Sequence, residues 1–171
     1  MVLSSYKGRL IGTNKQKERK QKKIKECTEK ANKDIRSLTE KESFVAGLGL
    51  YWGEGSKNGD NVRFYNANPL VVKFIMEWFR KSLKIEDDRF QMYVNINQIH
   101  KKRLQKVIEF WSKRTMVSVD QFRKPQLIKT KNKKVYENFS QHYGTLSIRI
   151  ARSKNLLYQI MAWIDAMSKA G

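Results

Sequence analysis

The stretch TEKESFVAGLGLYWGEGSKNGDNVRFYN occupies residues 39–66 and decides the fold that the sequence predicts. It opens with a Thr-x-x-Glu capping box, which is typical of a helix start, and an apolar run follows at once. We therefore predict a helix over residues 40–53. The Asn58-Gly59 dipeptide is typical of a hairpin turn, and the alternation after it predicts a strand over residues 62–66.

The predicted helix is unusual because it contains three glycines, each of which costs roughly 1 kcal/mol relative to Ala in a helix interior. Ala46, Gly49 and Gly53 recur at spacings of three and four, so they share one face. Small residues on one face allow another backbone to approach closely. We expect this face to contact a second helix, either within the chain or in a symmetric subunit contact.

The sequence that follows alternates between amphipathic helices and half-buried strands. Apolar residues at helical spacing predict helices over residues 69–85, 100–114 and 156–167. Strict alternation predicts strands over residues 90–97 and 145–150, and a further strand with a basic loop lies between residues 122 and 135. This order predicts one α+β domain over residues 39–171, with helices packed on one face of an antiparallel sheet.

Residues 1–38 differ in composition and are predicted to form a basic N-terminal arm or helix outside that domain. Residues 1–40 carry 12 basic and 5 acidic side chains, a net charge of +7. Helical spacing places Ile24, Cys27 and Ile35 on one narrow stripe. The segment is either a solvated arm or a helix that lies on phosphates.

The whole chain is strongly basic: 171 residues include 36 Lys and Arg against 16 Asp and Glu, a formal charge of +20. Nucleic acid, an anionic membrane surface and the ribosome are the common partners of such a charge. No apolar stretch approaches the roughly 20 residues of a membrane-spanning helix. We expect no membrane partner and a cytoplasmic location, since the N-terminus lacks the apolar block of a secretion signal. Cys27 is the single cysteine and there are two histidines, which excludes disulfide frameworks and zinc clusters.

The strand positions that face away from the predicted helices contain no acid. Arg, Gln and Asn are the side chains that bond bidentately to base edges, so this composition predicts a nucleic-acid interface. The alternative is an ordinary solvated sheet face. The outward-facing set consists of Arg63, Tyr65, Gln91, Tyr93, Asn95, Ser147 and Arg149.

A second concentration of charge lies between Lys101 and Lys134, with twelve basic residues and two acids. Basic loops of this kind position a protein on phosphates without reading sequence. Six phosphate contacts predict a slope of log affinity on log salt of roughly −5. The candidates are Arg123, Lys124, Lys129, Lys131, Lys133 and Lys134, together with Lys57 after the first helix of the domain.

Glu54 is a candidate functional acid because it stands between two glycines at the C-terminal end of the glycine-rich helix. A negative charge there opposes the helix dipole by about 0.3–1 kcal/mol. An acid within a basic surface suggests a metal ligand or a catalytic group. The alternative is a pairing with Lys57 or Arg63 that steadies the turn.

The string GLGLYWGEG at residues 47–55 resembles the LAGLIDADG signature of homing endonucleases. Five residues stand at positions typical of that motif: Gly49, Leu50, Gly53, Glu54 and Gly55. The hairpin that leads through YNANP into a helix is similar to the second strand and second helix of that family. The string at residues 49–57 is similar to a group of prokaryotic LAGLIDADG-like proteins, and the overall resemblance spans residues 40–165.

The resemblance implies that signature helices pack together through Ala46, Gly49 and Gly53 in a homodimer. It also implies that Glu54 of each subunit binds Mg²⁺, with Mn²⁺ as an alternative, and that the dimer hydrolyses phosphodiester bonds of double-stranded DNA. Two alternatives on the same fold stay open: a DNA-binding regulator without catalysis, and an RNA-binding or maturase-like protein.

Overall fold

A computed structural model of the protein describes residues 2–129 and 140–170, with side chains from residue 13 onward. The chain divides into two compact units, Met1–Thr39 and Glu40–Gly171. The first unit contains one helix of 33 residues, α1 (Val2–Asp34), which includes the basic stretch with the narrow apolar stripe. Every described side chain of α1 is exposed to solvent.

The second unit is an α+β domain with four helices and a four-stranded sheet in its described part. The helices are α2 (Glu40–Glu54), α3 (Pro69–Lys81), α4 (Leu104–Thr115) and α5 (Lys154–Lys169). The strands are β1 (Arg63–Asn66), β2 (Phe90–Asn97), β3 (Gln126–Ile128) and β4 (Thr145–Ile150).

The strand order is β1-β4-β2-β3. β4 runs antiparallel to both β1 and β2, whereas β3 runs parallel to β2. The prediction of a wholly antiparallel sheet is therefore wrong, and the sheet is mixed. The chain leaves β2, passes through α4 and returns to β3, which is the kind of long crossover that a parallel pair requires.

The core lies between one face of the sheet and the helices. α2 packs against α3 and α5, and α3 packs against α4 and β1. The side chains of β2 alternate strictly between buried and half-buried, because its apolar residues face the helices. The largest fully buried side chains include Trp111, Tyr51, Phe64, Phe79 and Phe90.

α3 illustrates how local chemistry sets the element bounds. The Asn68 side chain accepts a hydrogen bond from Leu70 N at 2.9 Å, and Pro69 occupies the first helical turn. The helix was predicted to reach residue 85, but it ends at Lys81. Lys84 adopts a φ of 53°, a left-handed conformation that a continuing right-handed helix does not allow.

His100 is a buried polar group, 4% exposed, between β2 and α4. Its ring lies 5.1 Å from that of His142, and Arg103 Nη1 lies 3.2 Å from His100 Nδ1. Burial lowers the pKa of His100 below its usual 6.5, and the neighbouring His142 and Arg103 charges lower it further. The folded domain therefore disfavours protonation of this ring.

We expect the free energy of unfolding to fall as the pH drops below about 6.5, because the unfolded chain then binds a proton that folded His100 resists. The contribution of His100 to the free energy of unfolding is fully present above the pKa of this ring in the unfolded chain. It is lost as the pH falls toward the lower pKa of the ring in the folded domain. Urea denaturation of the wild type and His100→Gln at pH 7.5 and pH 5.5, at constant ionic strength, measures this difference. An equal pH dependence in both proteins contradicts the assignment to His100.

Candidate nucleic-acid interface

The face of the sheet opposite the helices is organised in rows by the strand register. The cation row consists of Arg63, Arg149 and Gln91, which are register partners on β1, β4 and β2. The tyrosine row consists of Tyr65, Ser147 and Tyr93 on the same three strands. The amide row consists of Asn95 and Gln126, paired across β2 and β3. Register thus places the two arginines in one row and the two tyrosines in the next.

These rows enclose a groove of about 250 Å³ on the sheet surface. Among the described residues, its lining contains two guanidinium groups, two phenols, two amides and one hydroxyl, with no carboxylate. The lining residues are Arg63, Tyr65, Tyr93, Asn95, Gln126, Ser147 and Arg149. A polar, positively charged groove of this composition can accept anions and can hydrogen-bond to flat polar ligands.

The cation row leaves positive charge unbalanced. Arg63 and Arg149 are directly opposite each other on neighbouring antiparallel strands, an arrangement that is destabilising for like charges. Neither forms a salt bridge with another described residue. Nε of Arg149 is buried without a hydrogen-bond partner in the described structure, which is uncommon for a buried donor. An external anion would relieve this repulsion.

Five of the residues predicted for the interface come together in the groove: Arg63, Tyr65, Tyr93, Asn95 and Arg149. Gln91 lies beside them in the cation row.

The other basic residues predicted for the interface lie outside the groove. Arg123, Lys124 and Lys129 are exposed and flank β3 at the edge of the sheet, where Arg123 N donates to Met92 O at 2.8 Å. Lys57 is exposed in the loop after α2. Three predicted residues, Lys131, Lys133 and Lys134, lie outside the described residues.

Sequence reasoning did not select two residues of the groove. Gln126 joins it because β3 pairs in parallel with β2, which places this amide next to Asn95. Ser147 belongs to the outward-facing set but not to the predicted binding residues, and it is 6% exposed between two tyrosines. The alternation of Gln126 with Leu127 was the available signal for the first of these residues.

The end of α2 adjoins the edge of the sheet at β1. Gly55 forms an isolated antiparallel bridge with Phe64, and Ser56 N donates to Arg63 O at 2.9 Å. Tyr51 Oη donates to Ser56 O at 2.7 Å, and burial raises the pKa of Tyr51 to about 12, so the phenol stays a neutral donor. These bonds fix the turn directly after Glu54.

Glu54 is the last residue of α2, and its side chain is exposed. It forms no salt bridge with any described residue, so the structure does not show the predicted alternative of a pairing with Lys57 or Arg63. Lys57 Nζ instead donates to Gly53 O at 3.5 Å. The carboxylate therefore lies one residue from the sheet edge, open to a ligand.

A single chain offers a divalent metal few ligands at this position. The described residues contain no group of three or more His, Cys, Asp or Glu side chains that could hold an ion. Mg²⁺ typically keeps several waters and binds one or two carboxylates plus substrate phosphates. The exposed Glu54 carboxylate fits that incomplete type of site, provided that phosphates or a second carboxylate complete it.

The predicted small-residue face of α2 is open. Ala46, Gly49 and Gly53 are exposed, and a Cβ added at either glycine would have no described residue within 4 Å. Exposed Val45 and Trp52 lie on the same side of the helix. The alternative of an internal helix contact through these three residues is therefore not found in the described structure.

Comparison with protein families, with curated proteins and with solved structures finds no match to this chain. The resemblance to LAGLIDADG proteins consequently stays a prediction from the motif residues. Among the helices in the described ranges, none has the length and apolar character that crossing a membrane requires.

Proposed function

We propose that the protein binds double-stranded DNA through the groove on its sheet and, as a homodimer, hydrolyses phosphodiester bonds. The opposed Arg63 and Arg149 are the observation that carries the binding proposal, since their repulsion is unfavourable until an anion such as a phosphate lies between them. The proposal keeps the cytoplasmic location that the sequence predicts.

The other rows supply groups that could distinguish bases. Asn and Gln side chains bond bidentately to adenine in the major groove, and a ribbon of strands fits that groove. Asn95 and Gln126 lie side by side at one end of the site, and Gln91 lies at the other. Phosphate contacts would set the position of the protein, and these three amides would contact base edges.

The positive charge in the described part of α1 lies on exposed side chains and is not explained by packing. Residues 15–25 contain seven basic side chains and one acid, all exposed. Isolated helices are marginal in water, and like charges at neighbouring positions weaken them further. Contact with phosphates would stabilise α1, which favours the interpretation of the N-terminal segment as a helix that lies on nucleic acid.

The nuclease part of the proposal rests on Glu54 and on the open face of α2. If two copies pack through Ala46, Gly49 and Gly53, the C-terminal ends of both helices bring their Glu54 carboxylates close together. Mg²⁺ held there by Glu54 from each copy would polarise a phosphoryl oxygen and activate water. The protein's own part is to hold these carboxylates at the edge of the DNA-binding sheet, next to β1.

The binding proposal predicts that the double variant Arg63→Gln, Arg149→Gln reduces the slope of log affinity on log salt by roughly 2, because two phosphate contacts are lost. Fluorescence anisotropy of a labelled DNA duplex, titrated at several salt concentrations, measures this slope. A matched double variant, Lys73→Gln with Lys81→Gln, removes the same charge from α3, where both lysines pair with Glu77. We expect that control to retain the wild-type slope.

Equal slopes for the two double variants would mean that only total charge matters and that the groove is not the binding site. An RNA duplex of the same sequence serves as a competitor in the same titration. If RNA displaces the DNA at lower concentration than unlabelled DNA does, the RNA-binding alternative replaces the DNA proposal.

A further inference from the structure

We propose that the tyrosine row holds one unpaired nucleobase, stacked between Tyr65 and Tyr93 above Ser147. This inference rests on the proposed DNA-binding function and names the ligand of that groove more closely. The ligand class is a nucleotide that lies outside a base-paired stack, as in a bulge or an extruded base.

The spacing of the row suits an inserted aromatic ring. Tyr65 and Tyr93 are both register partners of Ser147, so they lie two strands apart on the same face. Neighbouring strands are about 4.8 Å apart, which separates the two tyrosine backbones by roughly 10 Å. Where both tyrosine side chains extend straight from the sheet, a ring midway between them lies about 5 Å from each, within the usual separation of stacked or tilted aromatic pairs.

The centre of the row is a notch in the groove, because its side chain is the smallest of the three. Ser147 lines the groove with Tyr65 and Tyr93, and it is 6% exposed because neighbouring side chains cover most of it. A larger side chain at residue 147 would occupy the space between the rings. The Ser147 hydroxyl forms the floor of the notch and can hydrogen-bond to the edge of an inserted base.

The neighbouring rows match the rest of a nucleotide. The cation row lies two residues along the strands on one side, where Arg63 and Arg149 can contact the phosphates that flank the base. The amide row lies on the other side, where Asn95 and Gln126 can bond to its polar edge. The three rows therefore follow the order of the groups in a nucleotide. The cation row faces the phosphates, the tyrosine row faces the two sides of the base, and the amide row faces the polar edge of the base.

A base inside an intact duplex cannot enter this notch. Its two faces are stacked on neighbouring bases, and only its edges are accessible in the grooves. Stacking on aromatic side chains is typical of proteins that bind unpaired bases and is tolerant of base identity. The tyrosine row therefore favours DNA with an unpaired nucleotide over a fully paired duplex.

The test uses the full chain and two DNA duplexes that contain 2-aminopurine, either paired with thymine or in a one-nucleotide bulge. We expect the wild type to bind the bulged duplex roughly 5- to 100-fold more tightly, the range that stacking of one base accounts for. We also expect the emission of the bulged 2-aminopurine to fall on binding, because an aromatic stacking partner quenches it.

The variants Tyr65→Leu and Tyr93→Leu should each reduce the preference and the quenching, whereas the Tyr→Phe variants should retain both. Tyr158→Leu on α5 is the matched control, since Tyr158 is 58% exposed and lies outside the groove. Circular dichroism confirms that each variant is folded.

Equal affinity of the wild type for the two duplexes overturns this inference and leaves the DNA-binding proposal intact. A preference for the bulge that survives both Leu variants also overturns it, because the base then binds elsewhere. Absence of binding to either duplex contradicts the proposed function itself.

Discussion

Replacement of Gly47 by Ala is expected to lower the free energy of unfolding by about 3 kcal/mol, at the upper end of the usual cost of overpacking a core. Gly47 is the buried glycine of α2, and a Cβ there would overlap the indole ring of Trp78 on α3. The indole has little freedom to move, because it is 3% exposed and its Nε1 donates to Phe44 O at 3.0 Å. Urea denaturation followed by tryptophan fluorescence measures the change.

Gly49→Ala is the matched control on the same helix. A Cβ at Gly49 has no neighbour within 4 Å in the part of the chain that the structure describes, so Ala should stabilise α2 by up to about 1 kcal/mol through its higher helix propensity. The comparison is made at a protein concentration low enough to keep the chain monomeric. Equal effects of the two substitutions would contradict the packing of α3 against Gly47.

The two glycines Gly47 and Gly49 also show which property of α2 the sequence does not predict. The spacing of Ala46, Gly49 and Gly53 correctly places these three residues on one face of the helix. It does not reveal which face is inside, because both faces of α2 are apolar: Leu48 and Tyr51 are buried, whereas Val45 and Trp52 are exposed. Hydrophobicity alone cannot orient such a helix, and the position of Trp78 on α3 decides it.

Elements with a long, regular pattern were predictable. Alternation predicted a strand over residues 90–97, and β2 spans Phe90–Asn97, because its two faces meet different environments. β3 has only three residues, and its parallel direction follows from the path of the chain through α4 rather than from its own side chains. Short strands defined by tertiary pairing give no comparable signal.

Five of the seven groove residues were predicted from the sequence, but their arrangement was not. Alternation along each strand identifies the outward positions without any knowledge of pairing. The Tyr65–Ser147–Tyr93 row depends on the register of β4 against both neighbours, and a slip of two residues would replace Ser147 by Thr145 or Arg149. The notch therefore depends on the pairing register of three strands, and the sequence of any one strand does not predict it.

Glu54→Gln is expected to reduce Mg²⁺-dependent nicking of supercoiled plasmid by about 100-fold or more, the usual effect of losing one charge-stabilising catalytic group. The substitution keeps the size of the side chain and removes the negative charge that a metal requires. DNA affinity should stay equal to that of the wild type or rise slightly, since one repulsive charge is lost from the sheet edge. A plasmid-nicking assay at low salt, with Mg²⁺ or Mn²⁺ against EDTA, measures cleavage separately from binding.

Two further variants separate the carboxylate from the dimer. Glu86→Gln removes an exposed acid elsewhere in the domain and should leave nicking unchanged. Gly49→Leu places a large side chain on the open face of α2 while Glu54 is intact, so it should abolish both dimerisation and nicking. A Cβ at that position has no neighbour within 4 Å among the described residues. If the wild type binds DNA as a monomer and nicks no plasmid with either metal, the nuclease proposal is wrong. The sheet groove would then belong to a DNA-binding regulator, for which the charge of Glu54 has no chemical role.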